Sequence, residues 1–351
     1  MSRHVRAIAA PAVWGPDPGT SNFCRTCSGW FPQPGNQGAG RLHLLPTVFP
    51  SMLILSFVRN SFFRLVLGAW LLGSCAPADE QKQESSRAPA SARALQAMLP
   101  HFDKEWAMRK YWDDGLAEVA IYTAERIVYQ KKRTFEYTQI TVKEEFNQQF
   151  DVKTDDYQRA DLFPVMKINQ FCQIPTDQYP YHFLTSLFFR RDQPVALYKM
   201  TTSSQEWCGN TFKTIVDDGV NFEETYNSYW DGQGTGSRDL RRDVFLEDAL
   251  SYSLRALRFE QLPRFDLVVL DLQQTNKAAP PVYYAAHLTT SAAAAAEVPT
   301  PAWRVAVALA PGKQNVYWFA KEYPNVLLRQ TSWDGRSLRL KSTRRFAYWS
   351  K

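Results

Sequence analysis

The residue types best suited to chemistry crowd into one segment, Met200-Thr-Thr-Ser-Ser-Gln-Glu-Trp-Cys-Gly-Asn-Thr-Phe212. Thr201, Thr202, Glu206, Trp207 and Asn210, joined by His182 from upstream, form a candidate binding patch: a polar rim on an aromatic floor that would hold a ligand or a partner. The same residues also suit a β-hairpin, with Gly209-Asn210 as its turn. Glu206 and Glu118 are the carboxylates that an envelope glycan or lipid hydrolase would use as acid and base, which needs two carboxyl groups roughly 5–10 Å apart in a cleft. No other catalysis announces itself locally. His101, His182 and His287 are widely spaced, and neither HExxH nor GxSxG occurs. Gly232-Gln-Gly-Thr-Gly236 lacks both the GxGxxG spacing and the Gly-Lys-Ser/Thr ending of a Walker loop, and reads as a loop between a strand and a helix. No metal, cofactor or catalytic residue is expected.

One cysteine carries a different chemistry. Leu65-Val-Leu-Gly-Ala-Trp-Leu-Leu-Gly-Ser-Cys75 follows Arg59 and Arg64, the layout of a secretory signal with a basic start, a short apolar run and small residues before a cut. The run is well short of the ~20 residues that span a bilayer. Leu72-Gly73-Ser74-Cys75 resembles the bacterial lipobox, in which the cysteine thiol receives a diacylglycerol and becomes the first residue of the mature protein. Two or three acyl chains hold a protein firmly to a membrane, where one gives marginal binding. Residues 52–74 are therefore read as the signal peptide, and residues 1–51, rich in Gly and Pro and without periodicity, as an over-extended start. Cys24 and Cys27 fall within that stretch and supply only half a zinc site.

Trimming at Cys75 changes the charge. Residues 1–74 hold six arginines, no lysine and one aspartate, so of 41 basic and 35 acidic residues the other 277 residues keep 35 and 34, a net of +1. A basic face for nucleic acid loses its support. Cys172 and Cys208 are expected to form a disulfide, as an isolated pair usually does in an oxidising compartment, contributing roughly 3–4 kcal/mol.

The elements that must position these residues read mostly as strands. Ala117, Val119, Ile121 and Ile127 alternate with polar or small residues, as do Trp303, Val305, Val307 and Leu309, and Leu338 with Leu340. Further strands are predicted over 183–189, 226–230, 267–272 and 346–349, separated by turns at Asp114-Gly115, Asp218-Gly219, Asp231-Gly232, Pro311-Gly312 and Asp334-Gly335. A short helical lead-in is predicted near 102–110. A helix is predicted over 243–257, capped by Asp243 and presenting Leu246, Leu250, Leu254 and Leu257 on one face. Residues 275–301 read as a low-complexity loop, and 75–100 as a flexible tether ahead of a single domain over 101–351. The order strands, helix, strands predicts a mainly β (β-rich α+β) fold, an antiparallel sheet curled into an open barrel with one packed helix.

The runs Tyr111-Trp-Asp-Asp-Gly-Leu-Ala-Glu-Val-Ala-Ile-Tyr122, Val142-Lys-Glu-Glu-Phe146, Lys199 to Phe212, Ser228-Tyr-Trp-Asp-Gly-Gln-Gly-Thr-Gly236 and Val316-Tyr-Trp-Phe through Tyr348-Trp349 resemble an uncharacterised group of Bacteroidetes-type lipoproteins, often labelled septum formation inhibitor Maf. The Ser-Pro-Arg-Arg phosphate-binding signature of true Maf nucleotide pyrophosphatases is missing. The expectation is a lipid-anchored protein of the cell envelope, at the outer membrane, that binds an apolar ligand or an envelope partner and is not an enzyme. It would be tied to the membrane by its N-terminal lipid and would have no nucleic-acid partner.

Overall fold

Trp303, Val305, Val307 and Leu309 are all buried, the alternation that an extended strand against a core produces. The computed structural model describes residues 97–350, and in it this pattern belongs to one strand of a single large sheet. In chain order the strands are β1 Ala117–Val128, β2 Lys131–Asn147, β3 Val152–Lys153, β4 Leu162–Ile174, β5 Tyr181–Arg190, β6 Leu197–Glu206, β7 Gly209–Asp217 and β8 Phe222–Ser228. They continue with β9 Thr235–Leu240, β10 Phe245–Leu246, β11 Arg264–Leu270, β12 Tyr283–Ala292, β13 Ala302–Ala310, β14 Lys313–Ala320, β15 Leu327–Thr331 and β16 Ser337–Phe346. The predicted mainly β, open antiparallel architecture is what the chain adopts.

The sheet order runs β10 to β16, then β1, β2 and β4 to β9, with β3 added beside β2. Nearly every strand thus pairs with its sequence neighbour, and β1 with β16 joins the two halves. The edges, β9 and β10, are consecutive in the chain but unpaired with each other, so the curl stops at a seam bridged by residues 241–244. Alternating strand direction sends the β1–β2, β4–β5, β6–β7, β8–β9 and β15–β16 connections to one end of the sheet, called here the rim. The β5–β6, β7–β8 and β14–β15 connections lie at the other end, the base.

The segment predicted as a fifteen-residue helix is a plug through the interior. Phe245–Leu246 pairs parallel with β11, and only Leu250–Ser253, α1, is α-helical, between 3-10 turns at Glu247–Ala249 and Leu254–Ala256. Asp243 is no cap; its carboxylate holds Arg241 at 2.7 Å. The four leucines are buried as expected, but so are Glu247, Asp248, Ser251, Tyr252, Ser253 and Arg255. An element surrounded on all sides has no polar face, and its polar side chains must find partners inside.

Arg255 does so most completely. Its guanidinium meets the Glu118 carboxylate in a two-pronged contact at 2.8 and 2.9 Å, gives Nε to the Pro324 carbonyl at 3.0 Å, and lies 5.1 and 5.7 Å from the Trp106 and Trp112 rings. That arrangement sets the face of β1. Glu118, Ala120, Tyr122 and Ala124 point to the plug, while Val119 joins Ala117, Ile140 and Val142 in a small cluster on the outer side and Ile127 is exposed. The period of two is as predicted, but small residues take the core side because the plug and two tryptophans fill the space.

Several boundaries move. Met98 is buried in the core, so the domain starts inside the predicted tether. The lead-in is three 3-10 turns, Leu99–His101, Trp106–Met108 and Lys110–Trp112, rather than a helix. Strand β16 stops at Phe346, and the predicted loop over 275–301 contains β12, whose Ala286, Leu288 and Thr290 face inward. The Gly232–Gly236 loop lies between two strands, β8 and β9. Cys75, the signal peptide and Cys24 and Cys27 lie outside the described residues.

Glu118→Ala would leave Arg255 buried and uncompensated, and is expected to destabilise the domain by about 3–5 kcal/mol. Converting both partners to apolar residues of similar size should recover most of that loss. Urea unfolding of the single and double variants tests it; a loss under ~1 kcal/mol in the single variant would show the pair to be idle.

Candidate binding site

The strand alternation divides the predicted patch between two faces. Thr202 and Glu206 of β6 point to the concave side, whereas His182 of β5, Thr201 of β6 and Asn210 of β7 belong to the outer face, where His182 pairs with Gln205 and Gln205 with Asn210. Thr202 is buried and bonds Thr185 Oγ1 at 2.8 Å. Its role is internal. Trp207 and Cys208 form the β6–β7 turn, two residues before the predicted Gly209-Asn210. Gly209 is required instead by a close approach: a Cβ there would collide with the Tyr229 ring.

What gathers around Trp207 comes from other hairpin tips. Trp207 is 78% exposed and stacks on Tyr179 of the β4–β5 loop, centroids 6.0 Å apart and planes within 23°. Tyr179 Oη lies 3.2 Å from Tyr129 Oη of the β1–β2 turn, and Tyr129 in turn bonds the Tyr181 hydroxyl. Hydrogen bonding with Tyr129 lifts the Tyr179 phenol to about 12, and burial pushes Tyr181 upward. Glu206 accepts from Asn276 Nδ2 at 2.8 Å, and burial raises its carboxyl above the ordinary range. Tyr129, Trp207 and Tyr229 are exposed along the same end of the sheet, with Trp333 at the β15–β16 turn. The spacing of Tyr129, Tyr179 and Tyr229 in sequence gives no hint of this rim; only the hairpin topology collects them.

Behind the rim the concave face is closed by the chain itself. Residues 271–278 cross it as a strap. Asp248 of the plug accepts the backbone N–H groups of Gln273 and Gln274 at 2.7 and 2.9 Å. Lys213 of β7 donates to Gln273 Oε1, Thr275 Oγ1 and the Lys277 carbonyl at 3.0–3.3 Å. Thr211 bonds the Asn276 carbonyl at 2.9 Å, Gln274 Nε2 reaches Thr185 at 3.1 Å, and Arg238 of β9 holds the Ala278 carbonyl at 2.7 Å. Beneath the strap the concave side of β5 to β9 is polar for this reason: Thr185, Thr211, Lys213 and Arg238 satisfy a backbone that makes no ladder of its own. Burial raises Asp248 to about 6 and lowers Lys213 to about 8. Between plug, strap and sheet remains a cavity of about 60 Å³, lined by Arg126, Gln170 and Asp248 together with Phe135, Tyr137 and Leu338. It is room for a few waters and not for an apolar ligand.

The predicted acid–base pair does not assemble. Glu118 is shut in the base of the interior by Arg255, and Glu206 sits at the rim with Asn276. Nor does the disulfide form. Cys172 and Cys208 are both free thiols. Cys172 lies opposite Phe183, which lies opposite Ser204, so Cys208 is two strands across and four residues along. Two strand spacings are already about 10 Å, beyond the ~7 Å Cα separation a disulfide bridges. Burial raises the Cys172 thiol to about 12, whereas Cys208 is exposed with Sγ 3.9 Å from Tyr179 Oη. No cluster of three or more potential metal ligands occurs among the described residues.

Comparisons with family models, with curated proteins and with solved structures return no match.

Two outcomes are expected. A thiol reagent should label Cys208 rapidly in the native domain and Cys172 only after denaturation, with no mass change on reduction; a protected pair released by reductant would restore the disulfide. For Asp248, the native state keeps a proton up to about pH 6 that the unfolded chain has lost by about pH 4. Its contribution to stability therefore falls as pH rises through that window, on the order of 2–3 kcal/mol. The stability gap between wild type and Asp248→Asn should widen in favour of wild type from pH 7 to pH 5, measured by urea midpoints. A gap that is constant with pH would contradict the assignment.

Proposed function

We propose that this chain is a lipid-anchored protein of the cell envelope that acts by binding a partner protein through its aromatic rim, and not by turning over a substrate. The observation that carries the reading is the interior of the sheet: plug and strap cross it, and the cavity between them measures about 60 Å³. That favours presentation of a surface over carriage of an apolar ligand inside. At the rim, Trp207 and the tyrosines from three hairpin tips supply the residue types that dominate protein interfaces, where buried Trp and Tyr side chains carry much of the affinity. The hydrolase alternative is left with Glu206 alone from its proposed pair. The anchor rests on Cys75 and the apolar run before it.

A photo-crosslinking residue at position 207 should trap a discrete partner in cells, while the same residue at Thr201, on the outer face, should not. Trp207→Ala is expected to weaken that complex by about 2 kcal/mol, near thirtyfold. Incorporation of labelled palmitate should be abolished by Cys75→Ser. Hydrolysis of envelope glycan or lipid by the purified protein, or identical adducts from positions 207 and 201, would defeat the binding assignment.

A further inference from the structure

The geometry points to a second site at the base: a cleft of about 380 Å³ that binds a phosphoryl anion. Its volume falls in the range of small-molecule sites, about 300–1,000 Å³. The walls come from separate elements, the turn at Trp106–Met108, the segment after the plug, the start of β13 and the β14–β15 loop.

Three cations face it. Lys321 Nζ stands 4.2 Å from the centroid of the Trp303 ring, and the Arg109 guanidinium 4.5 Å from that of Tyr323. A ring face attracts and places a cation without neutralising it. Arg258 commits Nε to the Phe102 carbonyl at 3.1 Å, and that single hydrogen bond leaves its charge uncompensated. Two carboxylates also line the cleft. Asp103 is engaged by Arg109 at 2.9 Å and by the Glu105 backbone at 3.0 Å, and Glu260 makes no ion pair among the described residues. Neither Lys321 nor Arg258 has a carboxylate within 4.0 Å among the described residues, whereas nearby Arg304 is paired with Glu297 at 3.4 Å.

The residual charge and the mixed donor set select the ligand. A guanidinium offers a planar fork and an ammonium a point charge, the combination that recurs around phosphate oxygens. A phosphoryl group carries more charge and one more acceptor oxygen than a monocarboxylate, and so answers two unpaired cations more fully. Because Lys321 and Arg109 already cover the Trp303 and Tyr323 rings, an uncharged sugar would find those aromatic faces occupied. A soluble phosphomonoester and an anionic phospholipid headgroup share this chemistry. The cleft owes nothing to the rim, so either assignment can fail alone.

The test uses the full chain carrying Cys75→Ser, so that no acyl group drives membrane binding. One arm titrates glycerol 3-phosphate by calorimetry. The other measures co-sedimentation with phosphatidylglycerol and with phosphatidylcholine vesicles. Binding is expected in at least one arm, weakened about tenfold by Lys321→Gln or Arg258→Gln and further by both, with Lys341→Gln on β16 as a control that changes nothing. Response in the first arm alone identifies a soluble ligand, and response to phosphatidylglycerol alone a headgroup. No binding in either arm, or equal weakening by the Lys341 control, would overturn the site. The exposed Lys321 substitution should leave the thermal midpoint unchanged, which separates lost binding from lost fold.

Discussion

Arg255 and Glu118 exchange two hydrogen bonds in a place water does not reach, and the rest of the domain is arranged around making that tolerable. Removing two charges from water is expensive unless geometry and additional partners compensate. Here the carboxylate comes from the first strand, the guanidinium from the plug, the Nε acceptor from the β14–β15 loop, and the flanking rings from the turns ahead of β1. Three regions distant in sequence, residues 106–118, the plug and the β14–β15 loop, are thereby tied to one pair of side chains. The alanines of β1 make room for it, and the 3-10 turns carrying Trp106 and Trp112 cap the base over it.

The interior consequently has two characters. Toward the base it is aromatic and apolar, with Tyr252, Phe189, Phe319 and Phe259 packed around the plug. Toward the rim it is polar, because the occupant there is a strap of irregular backbone whose N–H and C=O groups need donors and acceptors from the sheet. Asp248 and Lys213 are buried on that account, and their shifted titration reflects burial among mostly neutral partners. The strap excludes a ligand from the barrel as effectively as bulk would, and function is displaced to the two ends.

Much of this was legible from residue pattern, and the failures have common causes. β13 reads correctly because its Trp, Val and Leu are large on the one side that packs. β1 reads with its faces exchanged, because an inward Glu and two inward alanines carry no hydrophobic signal until the plug is known. Leucine spacing over 246–257 promised an amphipathic helix, yet burial from every direction lets 3-10 turns and a two-residue strand serve as well. β12 hid within alanine-rich sequence. The polar segment around Glu206 and Trp207 stands out in the sequence, but a period of two necessarily divides neighbours between faces. The tyrosines completing the rim, and the cations completing the basal cleft, come from loops whose convergence depends on long-range topology.

The pairing of β1 with β16 bears on how the domain comes into being. Most other ladders join strands adjacent in sequence, so they close over short stretches of chain and can form early and locally. The β1–β16 ladder matches Ala117 with Phe346 and must wait for the C-terminal strand to be present. Until then the molecule is two meanders connected through residues 241–244, and Arg255 and Glu118 belong to different ones. Loop-closure entropy makes that last encounter the slow one. A nascent or truncated chain lacking its final ten-residue strand would therefore expose two unpaired sheet edges at β1 and β15, the surfaces from which strand-to-strand aggregation begins.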